Sequence, residues 1–178
     1  MALGLRQGEA LGLHWSDIDL DAATLRITAA VQRVDHKLTL VEPKTQKSRQ
    51  TLPLPAFAVA ALREHRKCQI EARLAAGDEW QDRGLVFTTS TGGLLDGTVV
   101  THRFQRLLTA AGLPHLTYHE LRHTCATLLM AMGTPLPVIR DVLRHTQIGT
   151  TADVYSHVSP LLARESLDRL GELLSGEG

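Results

Sequence analysis

From Thr24 the chain alternates apolar and polar residues with period two. Leu25, Ile27, Ala29 and Val31 fall on one side, and Leu38 and Leu40 resume the alternation beyond Asp35-His36, a turn-forming pair. A third short strand takes in Leu52 and ends at Pro53 or Pro55, so the pattern predicts a small three-stranded antiparallel sheet near the N-terminus. Beyond Pro55, a residue suited to a helix start, the period lengthens. Val59, Leu62, Ile70 and Leu74 share one arc of a helix from Ala56 to Ala76, with Gly77 as its stop. Leu85-Val86-Phe87 reads as an isolated strand and Thr91-Gly92-Gly93 as a turn, before a helix from about Thr98 to Ala111 closed by Gly112. After His119, the residues Leu121, Cys125, Leu128 and Met132 keep helical spacing up to Gly133, and a short helix follows Pro135. Ser159-Pro160 opens a last helix with Ala163, Leu167, Leu170 and Leu174 along one side. The expected class is α+β, mainly helical, in a single domain over residues 1–178.

Composition narrows this picture. At 178 residues and 43% hydrophobic the chain closes one sizeable core. No apolar run approaches the roughly 18 residues of a membrane span, and Met1-Ala2-Leu3-Gly4 lacks the basic flank and apolar core of a signal peptide, so the expected compartment is the cytoplasm. Cys68 and Cys125 form no C-x-x-C pair, which argues against a zinc knuckle or a disulfide framework. Lys+Arg and Asp+Glu both number 19, so bulk charge alone does not hold a nucleic acid. Distribution is a different matter. Acids gather at Asp17, Asp19 and Asp21 and at Asp78, Glu79 and Asp82. Bases gather at Lys44, Lys47 and Arg49, at Arg63, Arg66 and Lys67, and at Arg103 and Arg106; on a shared face these would line a positive groove.

Five local patterns carry possible chemistry, each commonplace by itself. Arg6 opens a short helix, and Glu9 three residues later is placed to hold its guanidinium. Lys44 lies on an edge or turn of the sheet, within Glu42-Pro43-Lys44-Thr45. His119-Glu120-Leu121-Arg122-His123 has two readings. An imidazole and a forked guanidinium at i,i+3, opposite the Leu121, Cys125, Leu128 stripe, suit a phosphate. The same residues satisfy H-E-x-x-H, in which two histidines bind zinc and the glutamate activates water. For the zinc reading Ala126 and Leu129 stand where the longer metzincin motif needs glycine and a third histidine, leaving Asp141 or another downstream acid as third ligand. The last two patterns are His145 in Leu143-Arg144-His145 and Tyr155, ten residues further on.

Taken in order, this set resembles the tyrosine recombinase, or phage integrase, family. The resemblance runs from about Gly4 to His157 and includes Leu13-His14-Trp15-Ser16-Asp17-Ile18-Asp19, Leu121 to Thr127 and Thr150 to His157. It implies the family's catalytic-domain fold and a site-specific recombinase that cuts and rejoins double-stranded DNA. In that role Tyr155 is the nucleophile, Arg6, Arg122 and His145 hold the phosphate, His119 assists the tyrosine proton and Lys44 protonates the leaving oxygen. Glu9 and His123 support them; neither metal nor other cofactor is implied, and the partners are DNA and, as a tetramer on DNA, further copies of the chain. Two departures qualify the match. Arg144 stands where the family usually has glycine. The chain also begins five residues before Arg6, so the first catalytic-domain helices and the separate core-binding domain of the family are not in it. The alternative within the same fold is therefore a remnant that binds DNA weakly and is inactive.

Overall fold

The computed structural model describes residues 4–42 and 51–144. Lys44, His145, Tyr155 and the helix expected after Ser159 lie outside the described residues. The chain divides into two compact units, Met1–Cys125 and Ala126–Gly178. The first contains α1 (Gln7–Leu11), a 3-10 turn (Trp15–Asp17), β1 (Ile18–Asp19), β2 (Thr24–Leu25), β3 (Ala30–Val34), β4 (Lys37–Val41), β5 (Leu52–Pro53), α2 (Ala56–Ala76), a second 3-10 turn (Gly77–Glu79) and α3 (Gly97–Ala110). The boundary falls within α4 (Tyr118–Ala131), and α5 (Leu136–Leu143) belongs to the second unit.

A three-stranded antiparallel sheet forms, but its strands differ from those the alternation predicts. β2 is central, with Leu25 opposite Ile18 on one side and Leu52 on the other. β3 and β4 make a separate hairpin, Val31 facing Leu40 and Val34 facing Lys37, turned by Asp35 and His36, both at positive φ as a tight two-residue hairpin turn requires. The run from Thr24 to Val31 is thus two strands and a crossing. Thr28 Oγ1 donates to the Asp17 carboxylate, and Ala30 is buried beside Val31, so strict alternation ends between the two sheets.

Leu13, Leu25, Ile27, Leu52, Leu54 and Val86 form the core of this unit, with Ala58, Val59, Leu62 and Phe87 packed on it. The apolar residues of α2 that pack on this core all lie in its first half. Ile70 and Leu74, expected on the same buried arc, are 53% and 77% exposed, because the sheet is too small to cover a helix of 21 residues. Residues 85–87 are not a strand either. Leu85 makes one bridge to His14, and the Leu85 and Val86 carbonyls accept from Gln69 Nε2 at 3.1 and 2.9 Å; Val86 O also lies 2.7 Å from His65 Nε2. Side chains of α2 satisfy the backbone that a ladder would otherwise have to satisfy.

The α4 stripe also needs correction: Leu128 and Met132 are 58% and 80% exposed, while Leu121, Arg122, Ala126 and Met130 are buried. In the second unit Pro135 precedes α5, whose Ile139 and Leu143 are fully buried. Arg144 closes α5 in the left-handed conformation at φ 53°, a backbone state that glycine adopts without the side-chain penalty. No helix among the described residues is long and apolar enough to cross a membrane.

Burial assigns the stability. Ile27→Ala, at a fully buried position, should destabilise the protein by about 2–5 kcal/mol, whereas Ile70→Ala should fall within about 0.5 kcal/mol of the parent. Chemical denaturation of the two variants checks this; equal losses would mean that the C-terminal half of α2 is covered after all.

Candidate functional site

Arg6 is the N-cap residue of α1, and a single carboxylate holds both its backbone and its side chain. The Arg6 N–H donates to Glu9 Oε2 at 2.8 Å and Nη1 donates to Oε1 at 2.9 Å. Glu9 is buried, while the Arg6 side chain is 51% exposed, so the guanidinium is gripped from inside and presented to solvent. The geometry expected from the i,i+3 spacing is observed. Arg6–Glu9 also resembles the reciprocal tie of a capping box, in which the third residue of a helix satisfies the N-cap amide.

α1 has five residues, too few to be stable alone, and depends on its neighbours. Gly8 and Gly12 let its backbone lie directly on β3. A Cβ at Gly8 would fall 2.6 Å from the Val31 carbonyl oxygen, and one at Gly12 would fall 2.7 Å from Ala30 Cα. Larger residues at either position would push the helix, and Arg6 with it, off the strand.

Arg122 reaches the segment just before α1 from the other end of the unit. It is 6% exposed, and its Nη1 donates to the carbonyl of Gly4, 118 residues away in sequence. Gly4 has φ 52°, a left-handed conformation open to glycine. Arg122 also borders an apolar cleft lined by Leu5, Leu11, Leu62, Phe87 and Leu121, where a charge–phosphate contact would be weakly screened by water. His119 and Arg122 stand three residues apart on α4, as their spacing implies, but differ in burial: His119 is exposed and Arg122 is buried with Leu121.

His119 instead meets His123. Their Nε2 atoms are 2.8 Å apart, with rings nearly perpendicular, a contact in which one ring must donate and the other accept. Burial, with the charges of His119 and Arg122 beside it, holds His123 below the ordinary histidine value. Glu120 faces the helix start, where Thr117 N donates to its Oε2 at 2.5 Å and its own N–H donates to Thr117 Oγ1 at 3.2 Å. The glutamate of the H-E-x-x-H pattern is therefore a capping residue, and the Thr117 backbone N–H lowers its carboxyl below the ordinary value. Asp141 is paired with Arg140 in the second unit, and among the described residues no group of three His, Cys, Asp or Glu is placed to hold a metal. The zinc-hydrolase reading finds no support.

Of the basic clusters, Arg63 pairs with Asp21 at 2.7 Å, Lys67 with Glu64 at 3.2 Å, and Arg66 lies over the Trp15 ring. Arg63 and Arg66 line a groove with Arg26, but Asp17, Asp19 and Asp21 line it too, so it is mixed in charge rather than positive; Lys44, Lys47 and Arg49 lie outside the described residues. Tyr118, next to His119, packs on Phe104, and burial pushes its hydroxyl above the usual phenol value, the opposite of what activates a nucleophile. Gln7, whose carboxamide bonds to α3, carried no sequence signal beyond its place beside Arg6.

Comparison with known proteins gives a consistent picture. The profile of the phage integrase family matches residues 1–161. A tyrosine recombinase XerC-like protein of Caldanaerobacter subterraneus subsp. tengcongensis is 36% identical over 182 residues, covering 96% of this chain and 46% of that protein. An integrase of Streptomyces ambofaciens is 41% identical over 117 residues, covering 64% of this chain and 30% of its own length. The chain thus spans about half, or less, of these relatives. In fold it is similar to the Tn1549 transposon integrase solved in complex with transposon right end DNA, with TM-score 0.81 at 22% identity, covering 96% of this chain and 56% of that one.

The histidine pair can be tested by titration. His119→Ala removes one of the charges that lower His123, so the His123 pKa should rise toward the ordinary value of about 6.5 without reaching it, burial being unchanged. A histidine lowered by folding contributes stability that is full above its unfolded pKa and is lost as pH falls through its folded one, so the variant should lose less stability on acidification. NMR titration of the imidazole signals reads both, and an unmoved His123 would rule out the contact.

Proposed function

The chain belongs to the phage integrase family, and from that premise we propose that it breaks and rejoins double-stranded DNA through a covalent bond between Tyr155 and a 3′ phosphate. The observation that supports this best is the convergence on one short segment. Arg122 is bonded to the backbone of Gly4, two residues from an Arg6 that Glu9 holds in place. A guanidinium tied to the segment that leads into a second arginine suits recognition of an anionic group, and each arginine can present paired donors to phosphate oxygens.

The reaction follows from the charge it must manage. The Tyr155 oxygen attacks phosphorus, an O–P bond forms, and the P–O5′ bond breaks; negative charge grows on the non-bridging oxygens and on the departing oxygen. Arg6 and Arg122 hold the non-bridging oxygens, with His145 as a further donor. His119 takes the tyrosine proton, and the His123 contact fixes its ring. Lys44 gives a proton to the 5′ oxygen. The phenolate is also a competent leaving group, so attack by another 5′ hydroxyl reverses the step and joins a new strand without an external energy source. Double-stranded DNA is the substrate, the setting is the cytoplasm, and a homo-oligomer on DNA supplies the several strands of an exchange.

A second reading, a chain with this fold that holds DNA weakly, draws on its spanning about half the length of its relatives. One experiment addresses both. Incubated with a nicked suicide duplex carrying its site, the protein should form a denaturation-resistant protein–DNA adduct. Tyr155→Phe should form none, and Arg122→Ala should lower the rate by about 10²-fold or more. An adduct that persists in Tyr155→Phe would remove Tyr155 from the role, while adduct formation only at DNA concentrations far above those of specific binding would favour the second reading.

A further inference from the structure

The residue after Arg6 makes contacts that none of the roles above uses. Gln7 is half-buried, and its Nε2 divides its two hydrogens between the Gly97 carbonyl and the Thr101 hydroxyl, each at 2.9 Å. Both acceptors lie in the first turns of α3, 90 and 94 residues away in sequence. The seat is shaped for this side chain, because a Cβ on Gly97 would lie 2.8 Å from Gln7 Oε1 and 3.1 Å from Cδ. A glycine at the first position of a 14-residue helix is not a helix-forming choice; its missing side chain is the space that Gln7 fills. The receiving helix end is itself fixed, since the Asp96 carboxylate caps Thr98 N at 2.9 Å and accepts from Arg33 of β3.

We propose that Gln7 is the positioning residue for Arg6, setting the rotation of α1 against α3 so that the guanidinium meets the scissile phosphate. A five-residue helix has no intrinsic means of fixing its rotation. Glu9 orients Arg6 relative to α1, Gly8 and Gly12 set the distance of α1 from β3, and Gln7 hydrogen-bonds α1 to α3. Release of that strap leaves the Arg6–Glu9 pair intact but lets both turn together. A displacement of about 1 Å in such a group lowers a rate by about 10²-fold. The inference rests on the proposed phosphoryl-transfer reading, and its test separates the two.

The test uses Gln7→Ala and, independently, Gly97→Ala, which leaves Gln7 in place chemically but fills its seat. Propensity alone predicts that Gly97→Ala is neutral or stabilising; the strap predicts the same defect as Gln7→Ala. At saturating suicide DNA, both variants should form adduct about 10- to 100-fold more slowly, with DNA affinity within about twofold of the parent. On DNA whose scissile phosphate is replaced by a neutral methylphosphonate, less negative charge needs neutralising, and the defect should shrink, as should that of Arg6→Ala measured alongside. A defect of the same size on both substrates would mean a purely structural role, and parental rates in Gln7→Ala would overturn the inference while leaving the strand-transfer reading intact. Should the parent form no adduct, that reading fails and hydrogen exchange decides the strap. The Ala10 and Gly12 amides, bonded at 3.0 Å to the Arg6 and Gly8 carbonyls, should lose at least about tenfold of their protection in Gln7→Ala. Unchanged protection would overturn it.

Discussion

A buried guanidinium is the constraint around which the first unit is arranged. Arginine does not lose its proton at accessible pH, so Arg122 at 6% exposure carries a full charge into the interior, where it must be met by acceptors. The Gly4 carbonyl is one such acceptor, and it can be there only because Gly4 takes a left-handed conformation. The segment after Gly4 is then committed in position. Arg6 falls at the helix start, Glu9 turns inward to hold it, and Gly8 and Gly12 admit the strand beneath. The polar anchor and the catalytic candidates are consequently one structure rather than two neighbouring ones, which is why a tie between Gly4 and Arg122 spans nearly the whole unit.

The same economy appears in the charges. With equal numbers of acidic and basic residues the chain has no net field to attract DNA, and several of its basic residues are matched to local partners. Arg63 and Lys67 hold acids, Arg66 lies on Trp15, and Arg33 joins the hairpin to the start of α3. Arg6 differs in kind: a buried carboxylate supports it and its side chain remains half exposed. A cation held in this way is a fixed donor, unlike the solvated charges of a broad basic face.

Short-range patterns were legible in the sequence. The Arg6–Glu9 spacing, the hairpin turn at Asp35-His36, the limits of α2 and the run of helices after it all follow from local chemistry, and so does the ordered set of residues that resembles the integrase family. What was not legible depended on partners distant in sequence. Periodicity assigned Ile70 and Leu74 to a buried arc, yet the core ends before it reaches them. It set Arg122 opposite the Leu121, Cys125, Leu128 stripe, and nothing within α4 reveals that the arginine is buried with its hydrogen bond accepted by Gly4. Leu85 to Phe87 has the composition of a strand, but Gln69 and His65 occupy the acceptors that a neighbouring strand would use. The H-E-x-x-H reading failed for a related reason: Thr117, two residues before the first histidine, gives Glu120 a capping task that the motif itself does not disclose.

Why the first arginine of the site should stand on so short a helix follows from these ties. A long helix would fix Arg6 by its own rigidity, but it would also carry its own apolar face and need its own core. Five residues held on three sides achieve the same placement with contacts supplied by elements that exist for other reasons: β3 through two glycines, α3 through Gln7, and α4 through Arg122 and Gly4. Each contact constrains a different freedom, namely distance, rotation and the direction from which the chain enters the helix. Such a helix has little stability apart from its surroundings, so the geometry at Arg6 is a property of the assembled unit. Changes at Gly97 or Val31, outside α1, can therefore reach Arg6 through backbone position alone.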